Sequence, residues 1–312
     1  MSDERPEFAF INWIARQSGS RTEVQLGIGD DAAVLSSGGK DWVVTKDVIT
    51  AGVHFDAKTP LALVGRKALA VNISDLAAMA AQPCAAFIGI VLPKSMTRSA
   101  AEELYRGLQQ LASEWDICIG GGDTNSWDGP LVVSVTLLGL VESGQAVRRD
   151  GAQPDDWIFV TGPLGGSLES GRHLTFTPRI REAETLKQAV TLHAMLDLSD
   201  GLGSDLFHLL DRSGVGAILN ADSIPIHPDV SKTLPSAARL QHALSDGEDF
   251  ELLFTVSAAD GQRLIERPPP GVELFRIGEI TAAPGASLVV DGEEQTLPRS
   301  GWSHGFGQTA ID

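Results

Sequence analysis

Short apolar runs alternate along the chain with longer stretches in which apolar residues recur at helical spacing. The runs 86–92 and 131–141 are apolar at almost every position and predict strands. The stretch 60–81 is rich in Ala and Leu and predicts a helix. From about Thr97, apolar residues follow at i, i+3, i+4 and i+7 spacing, which predicts an amphipathic helix. Further strands are predicted at 41–45, 117–119, 157–161, 251–256 and 274–280, and a further helix at 205–210.

The most polar connection in the chain, residues 142–156, separates two halves with this alternating pattern. A chain of 312 residues is long enough for two domains of ordinary size. We therefore predict an N-terminal domain over 1–145 and a C-terminal domain over 146–312, both built from alternating helices and strands. Two such halves commonly hold a ligand in the cleft between them.

The chain is strongly acidic, with 24 Lys and Arg residues against 41 Asp and Glu residues and a formal net charge of −17. Nucleic-acid binding needs clustered cations that neutralise phosphates, so this balance argues against a nucleic-acid partner. The sequence shows neither a secretion leader nor an apolar run that could span a bilayer, and we expect no membrane partner. The two cysteines, Cys84 and Cys118, lack CxxC spacing, and we predict buried thiols in a reducing, cytoplasmic compartment.

Acidic residues recur beside Gly, Ser or Thr in six short segments, which the pattern puts at or just beyond strand ends. Short Asp side chains on tight turns present the hard oxygen ligands that Mg²⁺ prefers, together with phosphate oxygens and water. A single Asp-Gly pair is more often only a turn former, but six such segments favour a shared metal and phosphate site. The segments are 27–31, 45–47, 72–75, 121–124, 197–201 and 246–249.

A glycine run at 120–122 directly precedes Asp123, and such a run lets backbone N–H groups approach a phosphate closely. The chain lacks GxxxxGK[ST], GxGxxG and the kinase HRD and DFG motifs. Any nucleotide would therefore be held by Asp-bridged Mg²⁺ and glycine backbone. Arg148 and Arg149 suit bidentate phosphate binding or form a solvated pair. His54, taken alone, is a structural histidine more often than a functional one.

These segments together resemble the thiamine-monophosphate kinase family of the AIR synthase-like (aminoimidazole-ribonucleotide-synthetase-like) superfamily. The resemblance rests on the segments 27–33, 52–55, 67–79, 119–124, 197–202 and 247–254, whose order and spacing match from about residue 24 to Trp302. It implies a two-domain AIR synthase-like fold of the α/β (α+β) class, in which an N-terminal mixed sheet with helices pairs in a homodimer. The implied reaction is direct transfer of the ATP γ-phosphoryl group to thiamine monophosphate, giving thiamine diphosphate, with several Mg²⁺ ions and no phosphoenzyme.

The resemblance also implies roles for individual positions. The positions that match metal ligands are Asp30, Thr45, Asp47, Asp75, Asp123, Asp197 and Asp200, with Lys46 where the family commonly has a hydroxyl residue that helps to ligate magnesium. The positions that match the surroundings of ATP are Tyr105, Gly122, Asp123, Arg149 and Ser199. The positions around the thiamine phosphate are His54, Glu248 and Trp302. We expect Asp47, Asp123 and Asp200 to matter most for catalysis.

Charge repulsion between the two substrates independently favours a site that holds several metal ions. Two unit charges 4 Å apart interact with about 4 kcal/mol at an effective dielectric constant of 20, and the phosphoryl donor and acceptor are both polyanions. The motifs offer few side-chain cations, so metal ions must supply most of the neutralisation, and alignment and electrostatics then carry the transfer. We expect the Lys46 ammonium to occupy part of one ion's volume and to contact a phosphate. Asp246, which stands where the family usually has glycine, adds negative charge near the substrate position.

Two alternatives remain open at this point. Another ATP-dependent enzyme of the AIR synthase superfamily would share the aspartate pattern, although the relatives that handle selenide or carbamoyl groups generally need a cysteine near one end of the chain. A non-catalytic divalent-cation-binding module would also explain acid-rich loops. It predicts metal binding that does not depend on nucleotide.

Overall fold

The first half of the chain forms a six-stranded sheet with helices. The computed structural model describes residues 6–19 and 21–302. Its elements in this half are α1 Pro6–Gln17, β1 Val24–Leu26, β2 Ala33–Ser36, β3 Lys40–Thr50, α2 Leu61–Ala78, β4 Gln82–Pro93, α3 Arg98–Glu114, β5 Cys118–Trp127 and β6 Val132–Glu142. The strand order is β1-β2-β3-β6-β4-β5. All neighbours are antiparallel except β4 and β5, which are parallel.

The second half forms a seven-stranded sheet with more helices around it. Its elements are β7 Trp157–Val160, α4 Ser167–Ser170, α5 Ile180–Ala189, β8 Ala194–Asp197, α6 Leu202–Ser213, β9 Gly216–Asn220, α7 Ser236–Ser245, β10 Leu252–Val256, α8 Ala258–Glu266, β11 Phe275–Thr281, β12 Gly285–Val290 and β13 Glu293–Thr296, with 3₁₀ turns at Arg172–Leu174 and Ala221–Ser223. The strand order is β13-β12-β9-β11-β7-β10-β8. Only β9 and β12 pair in parallel. The mixed α/β class predicted from the sequence is confirmed in both halves.

Helix α2 lies between the two sheets. It packs on β3 and β6 of the first sheet and on β8 and α5 of the second half, and one apolar cluster runs from Val71 on this helix to Phe159 and Phe254 on the second sheet. Its contact with α3 is close, because a Cβ at Gly107 would lie 1.8 Å from the Ala62 carbonyl oxygen. Most of α2 is therefore buried, including polar residues that a purely structural helix would not need.

Two predicted elements differ from the observed ones. Strand β3 was expected to end at Lys46 and Asp47 but continues to Thr50, because Asp47 turns inward onto α2 rather than towards solvent. The strand predicted at 117–119 extends as β5 to Trp127 and includes the glycine run. A Cβ at Gly122 would lie 1.9 Å from the Ile88 carbonyl oxygen, so close strand pairing requires glycine there.

Two further findings concern the cysteines and membrane-spanning helices. Cys118 is exposed and Cys84 is half-buried, so the expectation that both thiols are buried is wrong. Cys118 begins the edge strand β5, which leaves it open to solvent. Within 6–19 and 21–302, no helix combines the length and the apolar character that a bilayer span requires.

Candidate active site

Side chains on one face of β3 point towards α2. Alternate residues of a strand share a face, so Thr45 and Asp47 lie on the same side of the sheet. The Asp47 backbone N–H donates to Asn72 Oδ1 at 3.2 Å, and the Thr45 hydroxyl donates to Asp75 Oδ2. The buried polar residues of α2 thus bind the segment of β3 that carries two predicted site residues.

Three carboxylates from three elements meet at the end of this arrangement. Asp31 lies in the loop between β1 and β2, Asp75 lies on α2 and Asp197 ends β8; one carboxylate oxygen from each lies within 4.8 Å of those of the other two. Ser74 Oγ donates to Asp197 Oδ2 at 2.5 Å, which fixes that carboxylate against α2. We refer to Asp31, Asp75 and Asp197 as the carboxylate cluster. It brings together three of the six acidic segments seen in the sequence.

Burial and mutual repulsion disfavour ionisation in and around the carboxylate cluster. Burial, followed by repulsion from Asp47 and Asp197, raises the pKa of Asp75 well above its usual range. Burial raises the pKa of Asp197 to about 6. For neighbouring Asp30, burial and repulsion from Asp31 raise the pKa to about 7. The folded chain holds these acids at a cost in free energy that a bound cation would remove.

One arginine offsets part of this negative charge. Arg149 Nη2 lies 2.6 Å from Asp31 Oδ1, and the Arg149 backbone N–H donates to Asp30 Oδ2 at 3.2 Å. Burial still raises the pKa of Asp31 to about 6, although Arg149 acts in the opposite direction. Asp31 Oδ2 is buried without a hydrogen-bond partner. Three carboxylates at this spacing, one of them with an unsatisfied oxygen, fit a divalent cation such as Mg²⁺.

A second acidic group lies at the start of α6. Ligand atoms of Asp200, Asp205 and His208 also lie within 4.8 Å of one another. The buried Asp205 carboxylate accepts the backbone N–H groups of Asp200 at 2.9 Å and Gly201 at 3.1 Å. It therefore fixes the loop that carries Asp200.

A cavity of about 190 Å³ opens between the two halves beside these groups. His54 Nδ1 accepts the Thr50 backbone N–H at 3.1 Å, so neutral His54 carries its proton on Nε2. Trp302 is 51% exposed, and its backbone N–H donates to the Asp200 carbonyl at 3.0 Å. The walls of the cavity include Asp47, His54 and Lys67 from the first half and Ser199, Asp200, Glu248 and Trp302 from the second.

Asp246 also lines this cavity, and its charge is held by local partners. Its Oδ2 accepts the Gly166 backbone N–H at 2.8 Å and lies 2.9 Å from His242 Nδ1. The negative charge that the sequence suggested near the substrate position is thus present. It is anchored at the edge of the second half.

Asp123 lies apart from the carboxylate cluster of its own chain. Through the pairs Asp123–Gly89, Gly89–Ser134 and Ser134–Val48, it shares a face with Val48 and not with Asp47. Three strand spacings separate Asp123 from β3, or about 14 Å. The structure therefore brings most of the predicted metal ligands together but leaves Asp123 on the opposite, open face of the sheet.

Lys46 also lies on this open face. Its ammonium donates to Ser134 Oγ at 2.9 Å and to Thr136 Oγ1 at 3.3 Å. The expectation that it occupies part of an ion's volume is therefore wrong for the carboxylate cluster of the same chain. Side chains alternate along β3, so a residue directly before Asp47 must point away from α2.

Tyr105 lies in a separate groove between α3 and the strands β4 and β5. The groove has a volume of about 410 Å³, and its walls include Ile90, Thr124 and Arg106. Gly122 belongs to the same edge strand as Thr124. The residues predicted near ATP thus fall into three places. Arg149 and Ser199 lie near the carboxylate cluster or the cavity, Tyr105 and Gly122 lie near the groove, and Asp123 points to the open face of the sheet.

Several site residues were not singled out from the sequence. Asp31 directly follows Asp30, and the doubled acid was a signal for it. Lys67 and Ser74 are polar residues on a face of α2 that is largely buried, which is itself a signal for a functional face. Asp205 had no comparable signal, because an acid in the first turn of a helix is common.

Both halves of the chain match known families. The model for AIR synthase related protein, N-terminal domain, matches residues 29–141, and the model for its C-terminal domain matches 153–291. A thiamine-monophosphate kinase of Rhodopirellula baltica (strain DSM 10527 / NCIMB 13988 / SH1) is 38% identical, over 96% of this chain and 97% of that protein.

Solved structures give the same result. AaThiL complexed with AMPPCP and TMP has a TM-score of 0.83 at 30% identity, covering 96% of each chain. The thiamine-monophosphate kinase from Stenotrophomonas maltophilia K279a has a TM-score of 0.73 at 37% identity, covering 93% of this chain and 98% of that one. The similarity therefore extends through both halves and across the cavity between them.

The raised pKa values predict how the metal-free protein responds to pH. Between about pH 4 and pH 7 the folded chain binds more protons than the unfolded chain, because the pKa values of Asp30 and Asp197 are higher when folded. Stability without divalent cations should therefore fall by several kcal/mol as the pH rises through this window, because a pKa raised by one unit corresponds to about 1.4 kcal/mol. Urea unfolding in the presence of a chelator measures the change.

The variant Asp75→Asn tests the cause of this pH dependence. It removes one charge from the carboxylate cluster, so it should stabilise the metal-free chain at pH 8 and flatten the slope. Asp128→Asn is the matched control, because Asp128 is exposed and pairs only with Lys94 at 2.6 Å among the salt bridges of the described chain. If the free energy of unfolding changes with pH by the same amount in wild type and Asp75→Asn, the assignment of the repulsion to this cluster is contradicted.

Proposed function

The chain belongs to the AIR synthase related family and, within it, to the thiamine-monophosphate kinases, and we propose from this premise that it phosphorylates thiamine monophosphate with ATP. The product is thiamine diphosphate. The γ-phosphorus of ATP gains a bond to an oxygen of the acceptor phosphate as its bond to the bridging oxygen breaks, and ADP leaves.

One observation carries this proposal: acidic side chains beside the carboxylate cluster line the cavity. Asp47 lines the cavity, and repulsion from it contributes to the raised pKa of Asp75 in the carboxylate cluster. Asp200 lines the cavity and belongs to the second acidic group. Groups that can hold cations therefore border a space between two halves, where two anionic substrates would have to meet.

The acceptor is proposed to bind in the cavity. His54 offers an Nε2 proton to a phosphate oxygen, and Glu248 offers a carboxylate to the cationic or amino-bearing part of thiamine monophosphate. Trp302, half exposed at the rim, can stack on an aromatic ring of the substrate. The relative AaThiL, solved with the ATP analogue AMPPCP and TMP, supports a site for both substrates in this fold.

We infer that several Mg²⁺ ions are held by Asp30, Thr45, Asp47, Asp75, Asp197 and Asp200. When bound, Mg²⁺ would neutralise phosphate charge and stabilise the transferring group. We propose that Arg149 and Ser199 contact ATP phosphates. The acceptor oxygen is already ionised at neutral pH, so no side chain is required as a general base. The work of the protein is alignment and charge compensation.

We further infer that the enzyme is a homodimer and that ATP contacts both copies. The open face of the first sheet carries Val48 and Phe87, which are 48% and 44% exposed, together with Asp123 and Lys46. A second copy on this face would cover these apolar groups. We propose that Asp123, Gly122 and Tyr105 act at the nucleotide from such a partner copy, because Asp123 lies on the opposite face of the sheet from the carboxylate cluster of its own chain.

The protein is also inferred to work in the cytoplasm, because Cys84 and Cys118 are both free thiols and an exposed free thiol suits a reducing compartment.

A direct assay tests the function. Purified chain with ATP, Mg²⁺ and thiamine monophosphate should form ADP and thiamine diphosphate in equal amounts. Chromatography measures both products. Thiamine and aminoimidazole precursors serve as acceptor controls and should give no product. Turnover of an aminoimidazole precursor in place of thiamine monophosphate would favour another activity of the superfamily, and metal binding without any turnover would favour a binding module.

Complementation tests the composite site. A dimer of two Asp47→Asn copies and a dimer of two Asp123→Asn copies should each fold but be inactive. If each site takes Asp47 from one copy and Asp123 from the other, mixed subunits should regain about a quarter of wild-type activity, since half of the dimers are mixed and each has one intact site.

The mixing experiment needs unfolding and refolding of the two variants together, with each variant refolded alone as its control. No recovery in the mixture, when wild type recovers fully under the same conditions, would contradict a site shared between copies.

A further inference from the structure

Lys67 is a buried lysine that the proposed catalytic roles leave unexplained. It lies on α2 with its side chain fully buried, and its ammonium nevertheless reaches the wall of the cavity. Nζ donates to Glu248 Oε2 at 2.5 Å and to the His54 carbonyl oxygen at 3.0 Å. A buried ammonium is retained only with close partners, because its desolvation is otherwise too costly. Both of its partners belong to residues proposed to contact thiamine monophosphate.

The two partners come from different halves of the molecule. His54 follows β3 in the first half, and Glu248 precedes β10 in the second. Lys67 therefore joins the two walls of the cavity through one ammonium group. Such a link sets the distance between them before any ligand binds, which is how preorganised sites reduce the cost of binding.

Glu248 itself is held in an unusual backbone conformation. Its φ is +57°, in the left-handed region that non-glycine residues seldom adopt. Its N–H donates to the Ser199 carbonyl at 2.7 Å, and its own carbonyl accepts the Ser167 hydroxyl at 2.6 Å. A strained conformation kept by several bonds marks a residue whose direction matters. The ion pair with Lys67 then fixes the orientation of the Glu248 side chain, which the backbone hydrogen bonds do not determine.

The pair also balances charge at the cavity wall. Glu248 repels Asp47, which adds to the effect of burial in raising the pKa of Asp47. Burial lowers the pKa of Lys67, whereas Glu248 acts in the opposite direction and favours the charged form. The positive charge of Lys67 thus offsets the repulsion between Glu248 and the aspartates of the site.

We propose that Lys67 is a positioning residue for the acceptor substrate: it holds the Glu248 carboxylate and the His54 main chain so that the two halves present one fixed pocket to thiamine monophosphate. This inference rests on the proposed function. It assigns Lys67 no contact with ATP and no part in the transfer itself.

The variant Lys67→Met tests the inference by steady-state kinetics. The KM for thiamine monophosphate should rise about tenfold or more, while the KM for ATP changes less than about twofold. The second variant is Glu248→Gln, and the third combines both substitutions. Because one of the two contacts of Lys67 is with Glu248, Lys67→Met should raise the KM for thiamine monophosphate much less in the Glu248→Gln background than in wild type.

Arg179→Met is the matched control for loss of an ion pair. Arg179 Nη2 lies 2.5 Å from Glu251 Oε1, and neither residue is among those that line the cavity. This control should lower the melting temperature without changing the KM for thiamine monophosphate by more than about twofold. A general loss of stability therefore gives a different result from a loss of positioning.

Three outcomes decide between the possibilities. If Lys67→Met does not fold, the double variant, which leaves no unpaired buried charge, still gives the comparison with Glu248→Gln. A rise in KM from Glu248→Gln to the double variant as large as the rise from wild type to Lys67→Met, or equal losses for both substrates in Lys67→Met, would overturn the inference. Failure of the wild-type chain to phosphorylate thiamine monophosphate would instead overturn the proposed function.

Discussion

Asp31, Asp75 and Asp197 come from a loop, a helix and a strand, and the fold brings their oxygens within 4.8 Å of one another. Repulsion between buried carboxylates opposes this arrangement, and one arginine does not remove it, since Asp31 Oδ2 is left without a hydrogen-bond partner. The apolar packing of α2 between the two sheets supplies the stability that holds them there. The buried negative charge destabilises the free protein, but the same charge would hold the cations that neutralise the substrate phosphates.

Helix α2 links this constraint to the substrates. The same helix carries Lys67 at the cavity, Asn72 at β3 and Asp75 in the carboxylate cluster, so small movements of the helix would affect all of them together. Its close contact with α3 at Gly107 and its burial on both sides make such movements costly. The rigid element is therefore the one that positions the chemistry. The loop 197–201 carries further acidic side chains and is fixed in turn by the buried Asp205 carboxylate.

The sequence was sufficient for the class of fold, for most of the elements and for the acidic segments, because periodicity and Asp-Gly signals are local. It was not sufficient for the face on which each side chain lies. Asp47 and Lys46 are neighbours yet point to opposite sides of the sheet, and Asp123 joins Lys46 on the open face through pairings across three strands. Register of this kind is set by tertiary packing. Lys67 was overlooked for a similar reason, since its partner Glu248 lies 181 positions along the chain.

We propose that the carboxylate cluster binds a divalent cation before any nucleotide binds. Titration of the chain with Mn²⁺, with free Mn²⁺ followed by electron paramagnetic resonance, tests it most directly. At pH 8 and without nucleotide, wild type and the exposed-site control Asp128→Asn should bind Mn²⁺, Asp75→Asn should bind it at least about tenfold more weakly, and wild type should lose affinity at pH 5 as the carboxylates protonate. Equal binding by Asp75→Asn and wild type, or no binding by wild type without nucleotide, would contradict the account.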